Sequence, residues 1–350
     1  MERLTDREHI RKRPGMYIGD TTSRGLHHLA GEIIGNSIDQ FLTGKVTRVS
    51  IQIEDGITTI CDDGPGLPLD LPSEYGNDSL ASDYFLRIHQ TPTVDDHAPH
   101  VHFHSPIGAG VCIVAALCEF VNVESFRSGK LYSQSFSRGE ATTKVTQPRV
   151  SKPFFADEPD PTDGPSRGTR FTFKADPEIF PEYKLDASCL RGKVLDAAYL
   201  YPGMIFELQQ ERFATSKGLA DLALTECTAT ATHCFCLNSE TDGVSIQAAA
   251  HGKLSGEDST TLWKSWANGV RTWYSNSGGT HEDAFREALQ VVGWDPAVAL
   301  IHVVMQEPKY AGPTRTLLDV PEKKKAMKSL LLEALSAHCE KEKLGSFKAT

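Results

Sequence analysis

The 350-residue chain lacks any long apolar run; nothing in it approaches the ~20 consecutive apolar residues that a membrane-spanning helix needs. Its opening, MERLTDREHIRKRPG, mixes charges of both signs without an apolar segment, so it does not read as a signal peptide. The expected location is therefore cytoplasmic, with no membrane partner. An excess of positive charge is also missing. With 36 Lys and Arg against 46 Asp and Glu the formal charge is -10, which argues against a surface that grips nucleic acid everywhere. Only a local basic patch remains open. Repeats and low-complexity tracts are absent. Eight cysteines are scattered, several in apolar runs such as GVCIVAALC. The one close pair, Cys234 and Cys236, has no second pair at zinc-site spacing, so buried reduced thiols are expected rather than disulfides or a metal.

What is present is an ordinary globular composition, 39% hydrophobic and 23% charged, in a chain long enough for two domains. Leu26, Leu29, Ile33, Ile34, Ile38, Phe41 and Leu42 recur at helical spacing. RVSIQIEDGITTICDDG reads as a strand, a turn and a second strand with an acidic exit. Residues 69–105 read as irregular and polar, and GAGVCIVAALCEF as a glycine-led helix start. NVESFRSGK and KLYSQSFSRG read as a hairpin turning at Ser128-Gly129. SKPFFADEPDPTDGPSRG is expected to be a surface loop, followed by a strand in GTRFTFKAD, a helix near 185–200 and a strand near MIFELQQ. A second strand-rich series begins near residue 226 and ends on a lysine-bearing helix, EKKKAMKSLLLEALSAHCEKEK. The coarse expectation is α+β, with one domain over 1–225 and another over 226–350.

Three short stretches carry chemistry. In the first helix His28, Glu32 and Asn36 fall at i, i+4 and i+8, on one stripe. A carboxylate there can polarise water, and an asparagine one turn on offers the neutral oxygen that Mg²⁺ accepts beside phosphates; an ordinary solvated helix face has the same pattern. In CDDGPGLP, Asp62 at a strand end can accept a hydrogen from a base's amino group, with Gly64 and Gly66 letting backbone approach a ring; a plain turn is the alternative. In PIGAGVCIVAAL, Gly108 and Gly110 lead a helix whose free amides suit phosphate, although the stretch is neither GxGxxG nor GxxxxGK[ST].

Taken together, IRKRPGMYIGDTTSRGLHHLAGEIIGNSID, DDGPGLP, SRGTRFTF, ESFRSGK, SNSGGTHEDAFREAL and EPKYAGPTRTLL resemble the gyrase B and topoisomerase IV ATPase subunits along essentially the whole chain. The resemblance implies a GHKL (Bergerat) ATPase α/β sandwich followed by a transducer domain with a left-handed βαβ crossover. It implies Glu32 as general base, His28 as its orienting partner, and Asn36 as the Mg²⁺ ligand against ATP. Asp62, helped by Thr169 and a water, matches the adenine-amino acceptor, with Gly66 and Pro68 in the same motif. Gly108, Gly110 and Val111 match the phosphate-covering lid, and Arg315 the cation that meets the γ-phosphate.

Several positions depart from the family pattern. Pro313, Thr314 and Arg315 stand where the family reads Gln-Thr-Lys, the lid is HSPIGAG with no evident lysine before it, and Gln40 and Pro65 replace a facing glutamate and arginine. The segment before RKRPGMYIGD is short, which weakens the expectation of a strap between two subunits, and no cleavage domain is expected in this polypeptide. His97, His100, His102 and His104 form an alternating run that reads as a polar loop or a divalent-metal site. Lys323, Lys324, Lys325 and Lys328 read equally as a solvated helix face or a DNA contact. The functional expectation is an Mg²⁺-dependent ATPase clamp that forms a homodimer on ATP and serves a topoisomerase or other DNA-processing protein. The alternative is a nucleotide-binding regulator of topoisomerases with little turnover.

Overall fold

The computed structural model describes residues 4–88, 101, 110–146, 149, 154–155, 167–227, 233–252, 260–273, 277–312 and 315–342. Two short helices open the chain, α1 (Asp6–Lys12), with a Thr5/Glu8 capping box, and α2 (Gly15–Ile18). The long helix α3 (Ser23–Leu42) follows, its apolar positions Leu26, Leu29, Ile33, Ile34 and Ile38 fully buried. Asp20 fixes its start by accepting from Thr22 N, the Thr22 hydroxyl and Gly25 N. Gly25 is required there, since a Cβ would lie 1.8 Å from the Asp20 carbonyl oxygen.

β1 (Arg48–Glu54) and β2 (Ile57–Asp62) turn through Asp55 and Gly56, both at positive φ as a two-residue type I′ hairpin requires. Next come α4 (Leu80–Leu86) and α5 (Val111–Leu117). α4 corrects the expectation that residues 69–105 are wholly irregular: Ser79 and Ser82 cap one another, and Gln134 accepts from the Ser82 hydroxyl. β3 (Cys118–Arg127) and β4 (Lys130–Ser137) form the expected hairpin, with Ser128 and Gly129 at positive φ. β5 (Glu140–Ala141), β6 (Gly168–Ala175), α6 (Ala187–Leu200), β7 (Ile205–Leu208) and β8 (Glu211–Phe213) complete an eight-stranded sheet ordered β5-β4-β3-β6-β2-β1-β7-β8. Only β1 and β7 run parallel in it.

The remaining elements are α7 (Leu219–Glu226), β9 (Cys234–Thr241), β10 (Val244–His251), β11 (Leu262–Ala267), β12 (Val270–Thr272), α8 (Thr280–Val292), β13 (Val298–Met305) and α9 (Pro321–Glu342). Their sheet is ordered β12-β11-β13-β10-β9, with β11 and β13 parallel. Alternate residues of β10 (Val244, Ile246, Ala248, Ala250) pack with Phe285 and Leu289 of α8 and with Met327, Leu331 and Leu335 of α9 in a second core. The chain thus divides into two compact units. The first holds β1–β8, α1–α5 and most of α6, and the second holds α7–α9 and β9–β13. Among the described residues no helix is long and apolar enough to cross a membrane.

Candidate active site

His28 and Glu32 lie one turn apart on α3, but their stripe is not a solvated face. Their side chains are only 8% and 10% exposed, with His28 Nε2 3.0 Å from Glu32 Oε1. The second carboxylate oxygen, Oε2, accepts from the backbone N–H of Gly110 at 2.9 Å. Gly110 is the N-cap of α5 at φ 74, and Val111 begins that helix buried. Asn36 sits one further turn along, half-buried. Gly108 lies outside the described residues, as do His97, His100, His102 and His104.

Asp62 ends β2 directly opposite Thr169 of β6. Its Oδ1 accepts from Gly64 N (2.9 Å) and Thr169 N (3.3 Å), and its Oδ2 accepts from the Ser37 hydroxyl (3.0 Å). Burial pushes its pKa up to about 6, against the hydrogen bonds of Gly64 and Ser37 that favour the charged form. At neutral pH it is therefore mostly an acceptor-only carboxylate, with one lone pair of Oδ2 left for a donor. Asp63, its neighbour, does different work. It accepts from Thr47 N, Arg48 N and the Thr47 hydroxyl, fastening the start of β1.

Sequence reasoning missed Ser37. A hydroxyl between Ile33, Ile34 and Ile38 on the buried side of α3 was the signal, because a polar group among core positions must find a partner.

Backbone shape around Asp62 depends on Gly66. It holds φ 77, and a Cβ there would lie 2.6 Å from Arg127 Cγ and 2.9 Å from the Phe126 carbonyl oxygen. Arg127 donates to the carbonyls of Pro65 and Gly66 and pairs with Asp70 at 3.0 Å, so it clamps this turn. Pro68 contributes its carbonyl, which accepts from Ala81 N at the start of α4. Gln40 keeps a buried Oε1 with no hydrogen-bond partner among the described residues.

Arg315 belongs to the second unit, whereas His28, Glu32, Asn36, Asp62, Gly66, Pro68, Gly110, Val111 and Thr169 share the first. It holds φ 53, with its guanidinium 5.8 Å from the Tyr310 ring centroid. The arms of its loop are anchored: Ala311 N donates to Leu317 O, Leu318 N to Gly278 O, and Thr280 N to Leu318 O. Gly279 permits this approach, since its Cβ would fall 2.2 Å from the Leu318 carbonyl oxygen. Pro313 and Thr314 lie outside the described residues. On α9, Lys324 and Lys328 share Glu287 and Lys323 pairs with Asp242, so acids of the same chain compensate most of that basic face.

No family model matches the chain. Over 96% of its length it is 28% identical to the B subunit of the type 2 topoisomerase of Aquifex aeolicus, covering 44% of that protein. Over 62% of its length it is 36% identical to the DNA gyrase B protein of Thermus thermophilus, covering 33% of it. Among solved structures, the 43K ATPase domain of Thermus thermophilus gyrase B in complex with an aminocoumarin matches with a TM-score of 0.77 and 27% identity, across 97% of this chain and 91% of that one. The chain has the GHKL ATPase–transducer fold. It is homologous to the ATPase domains of the gyrase and topoisomerase IV B subunits, and it spans less than half the length of these two curated relatives. The expected α+β architecture is thus present, with the gyrase B-type motifs of the first unit clustered around α3, the end of β2 and the start of α5.

Proposed function

We propose that the chain binds and hydrolyses Mg-ATP as a gyrase B-type clamp that dimerises on nucleotide and serves a topoisomerase or another DNA-processing partner. The observation that carries this reading is the buried Glu32 carboxylate, held at one oxygen by His28 and at the other by Gly110. A carboxylate so placed is a general base with its orientation already set. In hydrolysis it takes the proton of the water that attacks the γ-phosphorus as the bond to the β-phosphate oxygen breaks. Gly110 N–H then has to trade Glu32 for another acceptor, and a phosphate oxygen is the natural one.

Asp62 supplies the selectivity for an amino-bearing base, since an ionised carboxylate accepts and cannot donate. Gly66 leaves the space that a ring needs. Among the described residues no group of three His, Cys, Asp or Glu could hold a metal. Mg²⁺ takes one or two protein ligands and completes its shell with phosphates and water. Asn36 is the ligand proposed here, and the ion supplies charge neutralisation on the phosphates. Arg315 is proposed as the cation answering the γ-phosphate, where a guanidinium can bond two oxygens at once.

The test is calorimetric titration with a non-hydrolysable ATP analogue and Mg²⁺. Saturable binding, weakened by Asp62→Asn, is expected. Binding that is absent, or that is unchanged by the substitution, would overturn the assignment.

A further inference from the structure

Half of the cysteines are not buried as the sequence suggested. Cys61, Cys112, Cys118 and Cys339 are, but Cys189 and Cys236 are exposed and Cys227 and Cys234 half-buried, all eight being free thiols. Two of these share a strand. Cys234 and Cys236 are i and i+2 on β9, so they point to the same face of the sheet, while Phe235 and Leu237 turn to the core beneath α8 and α9. Among the described residues β9 is the outermost strand of its sheet and pairs with β10, where Ala249 stands opposite Cys236 and His251 opposite Cys234.

The pleat decides what this pair can do. Residues two apart on a strand are about 6.7 Å apart at their Cβ atoms. A disulfide needs Cβ atoms within about 4.5 Å, so the thiols cannot oxidise to one another while β9 keeps its place. A single ion with bonds of about 2.3 Å to each sulfur bridges sulfurs about 4.6 Å apart, which two side chains leaning toward each other along the strand supply. Among the described residues no third His, Cys, Asp or Glu completes a group around them, which disfavours tetrahedral zinc and leaves ions content with two soft ligands.

We propose that Cys234 and Cys236 form a two-thiolate site for Cu(I). Binding is written 2 RSH + Cu⁺ → [RS–Cu–SR]⁻ + 2 H⁺, with both S–H bonds broken, two S–Cu bonds formed and no change of oxidation state. The product carries one negative charge. Lys217 precedes α7, the helix that packs against β9 and β10. Metal binding releases protons and weakens as pH falls.

The experiment is an anaerobic Cu(I) titration of the full chain against a colorimetric Cu(I) chelator, with Cys234→Ser, Cys236→Ser and Cys189→Ser variants checked for native circular dichroism. The site predicts one Cu(I) held per chain in the wild type and in Cys189→Ser, lost to the chelator in either of the other two. Retention of that ion by Cys234→Ser or Cys236→Ser would overturn it. So would loss in Cys189→Ser, or no Cu(I) held by the wild type. A mild thiol oxidant followed by peptide mass analysis gives a second reading: a Cys234–Cys236 disulfide formed in the folded protein would contradict the strand geometry on which the site rests.

Discussion

Glu32 Oε2 accepts the N–H of Gly110 across 78 residues of sequence, while Oε1 faces His28. Both oxygens of the proposed base are thus spoken for, one by its own helix and one by the residue that opens α5. The two contacts differ in kind. His28 comes from Glu32's own helix, whereas the Gly110 amide comes from the start of α5 and, in the proposed reaction, changes acceptor when a phosphate arrives.

From the first contact follows a prediction for His28→Ala. Removing the imidazole leaves the carboxylate able to act but no longer held, so kcat is expected to fall by up to about 100-fold, as for a misplaced catalytic group. KM for ATP should barely move. Stopped-time phosphate release across ATP concentrations separates the two constants, and a rise in KM with kcat unchanged would assign His28 to binding instead.

The proposed role of Asp62 predicts that recognition of the base depends on pH. Its folded pKa of about 6 lies above the ~3.9 of an unfolded aspartate, so ionising it costs stability: the protein loses stability as pH rises between those two values and gains base affinity as the carboxylate forms. Below pH 6, analogue affinity is expected to weaken by about tenfold per pH unit more than in Asp62→Asn. Phosphate groups titrate equally in both proteins, so the difference isolates the aspartate. Parallel pH profiles would exclude it from the base contact.

Gly66→Ala tests the close approach at the turn. The added methyl meets Arg127, Ser125 and the Phe126 carbonyl, and φ 77 is itself costly for alanine. A loss of about 2–5 kcal/mol is expected, combining roughly 1–2 for the left-handed backbone with roughly 1–3 for the clash. Thermal denaturation reads it directly. A variant with wild-type Tm would show that the turn yields easily and that Gly66 is not needed for shape.

Asp176 is a buried charge in the first unit. Its side chain is fully buried between Arg11 and Arg138, at 2.8 and 2.7 Å. Burial alone raises its pKa, but the bonds from Arg138, Glu178 N and Arg11 outweigh it and leave the carboxyl below the usual range. A lowered folded value means stability that is present above the unfolded pKa and lost as pH falls through the folded one. Asp176→Asn is expected to cost about 1–3 kcal/mol at pH 7, because Arg11 and Arg138 keep only the exposed Glu178 as counter-charge and the half-exposed Arg138 is screened by solvent. The cost should shrink on acidification below pH 4, as urea unfolding at two pH values will show.

How much of this was legible beforehand depends on the range of the interactions. α3 was readable because its apolar residues keep the helical period, and the hairpin turn because Ser128-Gly129 can both hold positive φ. α4 was not. DLPSEYGNDSL is rich in turn formers, and the helix is secured by contacts from far along the chain, such as Ser82 to Gln134. The pairing of Glu32 with His28 follows from spacing alone, but its burial and its bond to Gly110 need the tertiary fold. So does the division of labour between Asp62 and Asp63, which are indistinguishable as neighbours in CDDG. The exposure of Cys234 and Cys236 was misjudged because apolar surroundings in sequence do not reveal that β9 lies at a sheet edge.

Mg²⁺-dependent ATP hydrolysis by the purified chain, measured over a range of protein concentrations beside Glu32→Ala, tests the central claim most directly. Turnover per chain that rises with concentration, and falls by about 10²–10⁴-fold in the variant while analogue binding persists, is the predicted result. Nucleotide binding without turnover, or turnover that Glu32→Ala leaves intact, would contradict it.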